Sequence, residues 1–355
     1  MNEIKVGLAG FGPAGSFFHA PLIAATPGLR LAAVVTRDPA KAERVQATGA
    51  DVVDSAEELW DRADLIVIAS PNRTHVPLAT AALRAGLPVV VDKPLAGTAA
   101  EAAGLIRLAR ERELPLTVFQ NRRWDGDFLT IQRLRAELGE IRRFESRFER
   151  WRPVPKGGWR ERGGPDELGG LLYDLGSHLV DQALHLLGPV AAVYAESDVR
   201  RAGVEAEDDV FLALDHVSGA RSQLWMSAVA GQPGPRFRVV GSERTYVKWG
   251  LDGQEDRLRA GELPDAPGFG VEPEAAWGRL GVEDDVRPVV SEPGAYLDFY
   301  RGVVAMIREK AAPPVDPEGV VAVLEVLEAA KVAASERRVV SVPVSVPVSV
   351  PQPGA

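Results

Sequence analysis

At 355 residues the chain is long for one hydrophobic core and comfortable for two domains of about 150 residues each. Its 50 acidic against 41 basic side chains leave a net charge of −9, and no Lys/Arg run is long enough to follow a phosphate backbone, which argues against nucleic acid or an anionic membrane as partner. The absence of cysteine removes disulfides, thiolate catalysis and every cysteine-based zinc or iron–sulfur site.

The start, MNEIKVGLAGFG, runs straight into a strand and a glycine loop, without a basic n-region, an apolar h-region or a cleavage site. No segment reaches the ~18 apolar residues of a membrane span, so the expected location is cytoplasmic. Over residues 1–121 the short apolar runs IKVGLAG, LRLAAVV, DLIVIAS, LPVVVD and LPLTVFQ read as buried parallel strands. Helix signals separate them: Asp38-Pro39 is an N-cap followed by Pro, Ser55-Ala-Glu-Glu58 and Thr98-Ala-Ala-Glu101 are capping boxes, and Gly86 closes a helix that begins near His75. This alternation predicts a doubly wound α/β Rossmann domain over 1–121.

Gly10-Phe11-Gly12-Pro13-Ala14-Gly15 follows the first strand and opens a helix, the context in which GxGxxG signals a dinucleotide. Gly10 permits the tight turn, Gly12 lets the backbone approach a diphosphate, and Gly15 lets helix and strand pack closely. Where the second strand ends, Thr36-Arg37 suit a 2′-phosphate, which predicts NADP; NAD remains the alternative, through Asp38 as the ribose acid. Three further groups stand beyond strand ends, where the crevice of such a sheet lies: Ser70-Pro71-Asn72 with His75, Asp92-Lys93-Pro94, and Asn121 followed by Arg123-Trp124. Lys93 draws notice because only seven of the 41 basic residues are lysine and a stiffening Pro follows it.

From residue 122 to 342 the texture changes. A helix near 128–138 precedes period-two segments, IRRFESRFERW, VAAVYAESDV, DDVFLALDH, ARSQLWMSA, PRFRVVG and TYVKWG, which predict an α+β domain with a large, mostly antiparallel open sheet. Residues 252–294 read as long loops, followed by helices near 295–310 and 318–337. The tail, 343–355, repeats V-P-V-S, and its prolines break any ladder, so a floppy extension is expected.

The stretch GLLYDLGSHLVDQALHLLG, 170–188, reads as one apolar helix carrying Asp174, His178, Asp181 and His185 within a stripe roughly 60° wide. Three roles compete: the wet face of an amphipathic helix, a metal site, or an acid/base pair in a cleft.

On the glycine fingerprint, Asp92-Lys93-Pro94 and Gly170-x₃-Asp174-x-Gly176-x-His178-x-x-Asp181, the chain resembles the glucose-fructose oxidoreductase/inositol dehydrogenase/rhizopine-catabolism (Gfo/Idh/MocA) family. The runs FQNRRWDGDFLTI, Trp159-Arg160-Glu161, YDLGSHLVDQ and YVKWGLDGQEDRL look most like its bacterial NADP-dependent scyllo-inositol dehydrogenase group. The resemblance implies a Rossmann domain followed by an open sheet that pairs subunits as homodimer or homotetramer. It also implies that Lys93 contacts the substrate hydroxyl and the nicotinamide side, and that Asp174 and His178 handle the proton. Trp159 and Arg160 join the expected cofactor contacts. Two departures stand out: Asp92 where the family commonly has Glu, and the V-P-V-S tail.

Asp174 and Asp181 are about 10 Å apart along a helix axis, as are His178 and His185, so only adjacent pairs could share an ion and no metal is expected. A wet face explains neither the histidines nor Gly176, which costs roughly 1 kcal/mol in a helix and is expected to admit a backbone or a ligand. An acid/base pair is therefore favoured: His178 takes the hydroxyl proton of a polyol or sugar, Asp174 stabilises the imidazolium, and Lys93 supplies charge to the alkoxide. Arg123 and Trp124 are expected to contact substrate. The predicted activity is that of an NADP-preferring dehydrogenase or reductase acting on CH–OH groups. Its rivals are a non-catalytic dinucleotide- or sugar-binding regulator of the same fold and an NAD-dependent glycosidase.

Overall fold

The computed structural model describes residues 2–158, 161–162 and 168–343. Trp159, Arg160 and the repeats from 344 onward therefore lie outside the described residues. Two compact units divide the chain.

The first unit comprises Met1–Trp124, Gly253–Gly270 and Ala295–Pro317. Its strands are β1 (Ile4–Ala9), β2 (Leu29–Val35), β3 (Asp51–Val53), β4 (Leu65–Ile68), β5 (Val89–Asp92) and β6 (Leu116–Phe119), and they form one parallel sheet in the order β3-β2-β1-β4-β5-β6. Val6, Leu8, Ile66, Val67, Val90 and Val118 are fully buried, as expected of strands covered on both faces. The order reverses at β1, which puts its carboxyl end at the switch point where such sheets bind ligands. The connecting helices include α1 (Ala20–Ala25), α2 (Pro39–Gln46), α3 (His75–Arg84) and α4 (Ala99–Glu111). Asp38 and Thr98 cap α2 and α4 as the sequence predicts, the latter with its full reciprocal box. The Ser55 box closes only half: Glu58 accepts from the Asp54 and Ser55 amides, both at 3.2 Å, and lies within a single 3₁₀ turn, Glu57–Leu59.

The second unit comprises Asp125–Asp252, Val271–Gly294 and Glu318–Ala355. After α5 (Gly126–Arg133) and α6 (Arg135–Leu138) come β7 (Ile141–Glu149), α7 (Ser177–Leu187), β8 (Val190–Asp198), β9 (Asp209–His216), β10 (Arg221–Ser227), β11 (Phe237–Gly241) and β12 (Thr245–Lys248). Later follow β13 (Gly278–Val282), β14 (Asp285–Val289), α10 (Pro317–Glu336) and β15 (Val340–Ser341). The nine strands run β14-β13-β12-β11-β7-β10-β9-β8-β15 and are antiparallel except for β7 with β10. Alternation sorts the faces: Leu224 and Met226 are buried, whereas Trp225 lies on the opposite face, half-buried, stacked on Phe211 with ring centroids 5.2 Å apart and capped by the Arg147 guanidinium at 3.8 Å.

Several sequence expectations change. The stretch 252–294 is not all loop: it holds α8 (Gln254–Arg259) and the β13–β14 hairpin, whose glycines and proline weaken the strand signal. The three residues of β3 are too few to register as a run. The domain boundary expected at 121/122 falls after Trp124, and 253–270 and 295–317, the latter carrying α9 (Tyr296–Arg308), return to the first unit. The reason is apolar packing within that unit, where Phe299 meets Phe119 at 4.9 Å.

Candidate active site

The glycine loop is fixed by backbone geometry. Gly10 has φ +110°, and a Cβ there would meet the Ala69 carbonyl oxygen at 2.7 Å; a Cβ on Gly15 would overlap the Gly10 carbonyl oxygen. In front of Gly12 nothing lies within 4 Å. Pro13 precedes a π-helical turn, Ala14–His19, that leads into α1. An open glycine face at the start of a helical turn fits the diphosphate of a dinucleotide.

At the end of β2, Asp38 is spent on its helix: Oδ1 accepts the Ala40 and Lys41 amides at 3.0 and 3.4 Å, and Oδ2 pairs with Lys41 at 3.5 Å. Thr36 is nearly buried, and the Arg37 Nε donates to the Asp54 carbonyl at 3.1 Å on an exposed side chain. Arg44 of α2, which sequence inspection misses, places its guanidinium 5.5 Å from the Phe11 ring.

Beyond β5, the Lys93–Pro94 peptide is cis, and the Lys93 amide donates to Asp92 Oδ1 at 2.9 Å. Burial pushes the Asp92 carboxyl up, but the His19 ring and the charges of Lys93 and His75 outweigh it and hold it below the usual carboxylate range. His75 departs from its expected place against the cofactor. It is fully buried, with Nδ1 2.7 Å from the Pro94 carbonyl oxygen and Nε2 2.9 Å from that of Ser70, so its ring ties two strand-end turns together. Asn121, Arg123 and Trp124 share a 3₁₀ turn after β6. The returning segments stitch that turn: Arg122 pairs with Glu255 at 2.6 Å, the Trp124 carbonyl accepts from Gln254 Nε2 at 3.0 Å and from the Ala295 amide at 2.9 Å, and the Trp124 ring meets Phe299. Gln254 and Glu255 carry no sequence signal for this task, because their partners lie more than a hundred residues away.

In the second unit, 170–188 is not one regular helix. A π-helical turn, Leu172–Gly176, precedes α7, so Asp174 leaves the 3.6-residue register of His178, Asp181 and His185. Gly170, at φ +85°, starts the turn against the Glu207 carboxylate, which accepts from the Leu172 amide at 3.2 Å. His178 is 6 % exposed and Asp181 2 %, which overturns the wet face. His185 is half-buried with its ring 6.0 Å from that of Phe128. Gln182 accepts from Arg236 at 3.0 Å, and Arg236 also donates to Ser146 at 2.6 Å, which ties α7 to the sheet. The expected role of Gly176 is not what its surroundings favour: the three atoms nearest to a Cβ there belong to the side chains of Leu172, Met226 and Leu327, at 3.4–3.5 Å. Among the described residues no group of three or more His, Cys, Asp or Glu could hold a metal ion.

A glycine turn at the switch point of a parallel sheet, joined to a unit built on a mixed nine-stranded sheet, is the plan of a nicotinamide-dinucleotide oxidoreductase. Residues 4–120 match the family described as "Oxidoreductase family, NAD-binding Rossmann fold", and 132–344 match "Oxidoreductase family, C-terminal alpha/beta domain". The chain belongs to the Gfo/Idh/MocA oxidoreductase family. It is 35 % identical to the scyllo-inositol 2-dehydrogenase (NADP(+)) IolW of Bacillus subtilis, with 96 % of each chain covered, and 40 % identical to the uncharacterised oxidoreductase YdgJ of Escherichia coli, over 95 % of this chain and 98 % of that one. Among solved structures, the putative oxidoreductase yvaA of Bacillus subtilis superposes with a TM-score of 0.91 at 34 % identity, covering 96 % of this chain and 99 % of that one. No helix among the described residues is long and apolar enough to cross a membrane.

Proposed function

We propose that the protein is a cytoplasmic NADP-preferring dehydrogenase acting on a secondary CH–OH group of a polyol or sugar, with scyllo-inositol as the first substrate to test. The observation that carries this is a buried His178 beside the π turn that bears Asp174, in a chain similar over 96 % of its length to an NADP-dependent scyllo-inositol dehydrogenase. Bound NADP supplies the hydride acceptor at nicotinamide C4. Gly10 to Gly15 hold the diphosphate, and Thr36 and Arg37 meet the 2′-phosphate, since Asp38 is already committed to its cap. Ser70, Pro71, Asn72, Pro94 and Asn121 line the cofactor, and Arg123 and Trp124 contact substrate. His178 takes the hydroxyl proton, Asp174 stabilises the imidazolium, and Lys93 holds positive charge at the forming alkoxide. The open sheet face around Phe211 and Trp225 pairs subunits as a homodimer or homotetramer.

NADPH absorbance tests this, rising when NADP is mixed with a panel of polyols and falling when NADPH is mixed with a panel of ketoses. Turnover with one member supports it. Cofactor binding without any turnover points to a regulator of the same fold, and cleavage of a chromogenic glycoside in the presence of NAD points to a glycosidase.

A further inference from the structure

Below the Asp92-Lys93-Pro94 turn lie two buried polar side chains with no part in the roles above, His19 and Tyr300. His19 ends the π-helical turn after the glycine loop and is 0 % exposed; Tyr300 belongs to α9, in a segment that returns to the same unit from the far end of the chain. Nδ1 of His19 and the Tyr300 hydroxyl oxygen are 2.6 Å apart. Nε2 of the same ring faces Asp92 Oδ1 at 3.8 Å, and that oxygen also receives the Lys93 amide at 2.9 Å. We propose that Tyr300, His19 and Asp92 form a relay that holds the Lys93 turn in place, which makes His19 and Tyr300 positioning residues for the dehydrogenase chemistry; the proposal rests on the role given to Lys93 above.

Proton placement follows from the neighbours. Burial, and then the Asp92 charge, push the Tyr300 phenol well above its usual range, so it keeps its proton and can donate to Nδ1. A neutral imidazole that accepts at Nδ1 carries its proton on Nε2, pointing at the acid. The Asp92 carboxyl is held below its usual range, which leaves it a charged acceptor facing that ring nitrogen. The Nε2–Oδ1 approach is longer than a hydrogen bond, and Nε2, buried from solvent, has no hydrogen-bond partner. A shift of the turn that brings the pair to about 3 Å completes the relay. Packing fixes the ring for this: Phe119, paired with Asp92 across β5 and β6, lies 4.5 Å from the His19 ring, and Tyr300 meets Phe119 at 6.1 Å. On the other side of the turn His75 holds the Pro94 carbonyl. Lys93 is thus bracketed by two buried histidines, one acting through the acid before it and one on the proline after it.

Hydrogen exchange at the Lys93 amide, with steady-state kinetics, tests the relay in Tyr300→Phe and His19→Gln. Tyr300→Phe removes one oxygen and keeps the ring, so it stands even if His19→Gln folds poorly. The expected result is exchange at least about tenfold faster at Lys93, with the central strands β1 and β4 unchanged, and kcat lowered about tenfold at an NADPH Kd within about twofold. Unchanged exchange at Lys93 in Tyr300→Phe overturns the proposal, as does acceleration spread evenly over the first unit, which would mark a packing role only. Local acceleration with an unaltered kcat overturns the link to catalysis. If the unaltered protein turns over no polyol, the dehydrogenase reading fails, and the exchange result alone decides whether the relay holds the turn.

Discussion

Two π-helical turns introduce the residues of interest, one in each unit, and they are built on different principles. The turn at Ala14–His19 follows a loop shaped by backbone: Gly10 and Gly15 have carbonyl oxygens where a Cβ would go, and Gly12 faces open space. The turn at Leu172–Gly176 is built differently: a Cβ added at Gly176 would find side chains of Leu172, Met226 and Leu327 as its nearest neighbours, at ordinary van der Waals distance, and the proposed chemistry lies in Asp174 and His178. Glycine identity matters where backbone or ligand is the neighbour; elsewhere the side chains decide.

The widest separation between the two turns is expected in catalysis. His178→Ala should lower kcat for alcohol oxidation by about 10²–10⁴, the usual worth of positioned proton transfer, and leave NADPH affinity nearly unchanged. Asp174→Asn should cost rate in the same direction. Equal losses of rate and cofactor affinity would erase the distinction.

On the cofactor side, Arg37→Ser should weaken NADPH by about 1.5–3 kcal/mol and leave NADH almost untouched, measured by fluorescence titration. Equal losses for both cofactors would make Arg37 merely structural. Gly15→Ala should destabilise the fold by about 1–3 kcal/mol through overpacking, seen as a lower urea midpoint, and weaken both cofactors together.

The second unit also buries charge. Asp127 is fully buried with neither oxygen hydrogen-bonded, Arg236 Nε being 3.8 Å away, and burial together with the Asp125 charge pushes its carboxyl up to about 7. The folded protein therefore holds this proton where the unfolded chain has released it, and stability should fall as pH rises from about 4 to about 7 and then level. Asp127→Asn should flatten that slope and gain stability above pH 7 relative to the unaltered protein, as read from urea unfolding at several pH values. An unchanged slope would show that the carboxylate is stabilised in some other way.

The smallest effect sharpens the contrast most. Gly176→Ala should leave stability unchanged or raise it by up to about 1 kcal/mol, because the added methyl fits and helix propensity improves. A loss comparable to that of Gly15→Ala would mean that the two turns are built alike.

Much of the first unit is legible in sequence because its signals are local. Gly10, Asp38 and Thr98 each act within a few residues, and a strand-end residue such as Lys93 is located by the strand before it. His75 shows the limit: its position after a strand is visible, its burial against Pro94 and Ser70 is not. Non-local partners leave no such mark, so nothing in the text pairs Glu255 with Arg122 or Tyr300 with His19. In the second unit the six strong alternating strands are readable, whereas Gly and Pro hide β13 and β14. A 3.6-residue period also cannot reveal the π turn that moves Asp174 out of the stripe.

Hydride transfer from a secondary alcohol to NADP can be followed directly by isotope. Scyllo-inositol carrying deuterium on its carbinol carbons is incubated with the protein and NADP, and the reduced cofactor is analysed by mass spectrometry. One deuterium per NADPH formed is expected, at a rate that collapses in His178→Ala. NADPH formed without deuterium, or labelled cofactor made at an undiminished rate by His178→Ala, would contradict it.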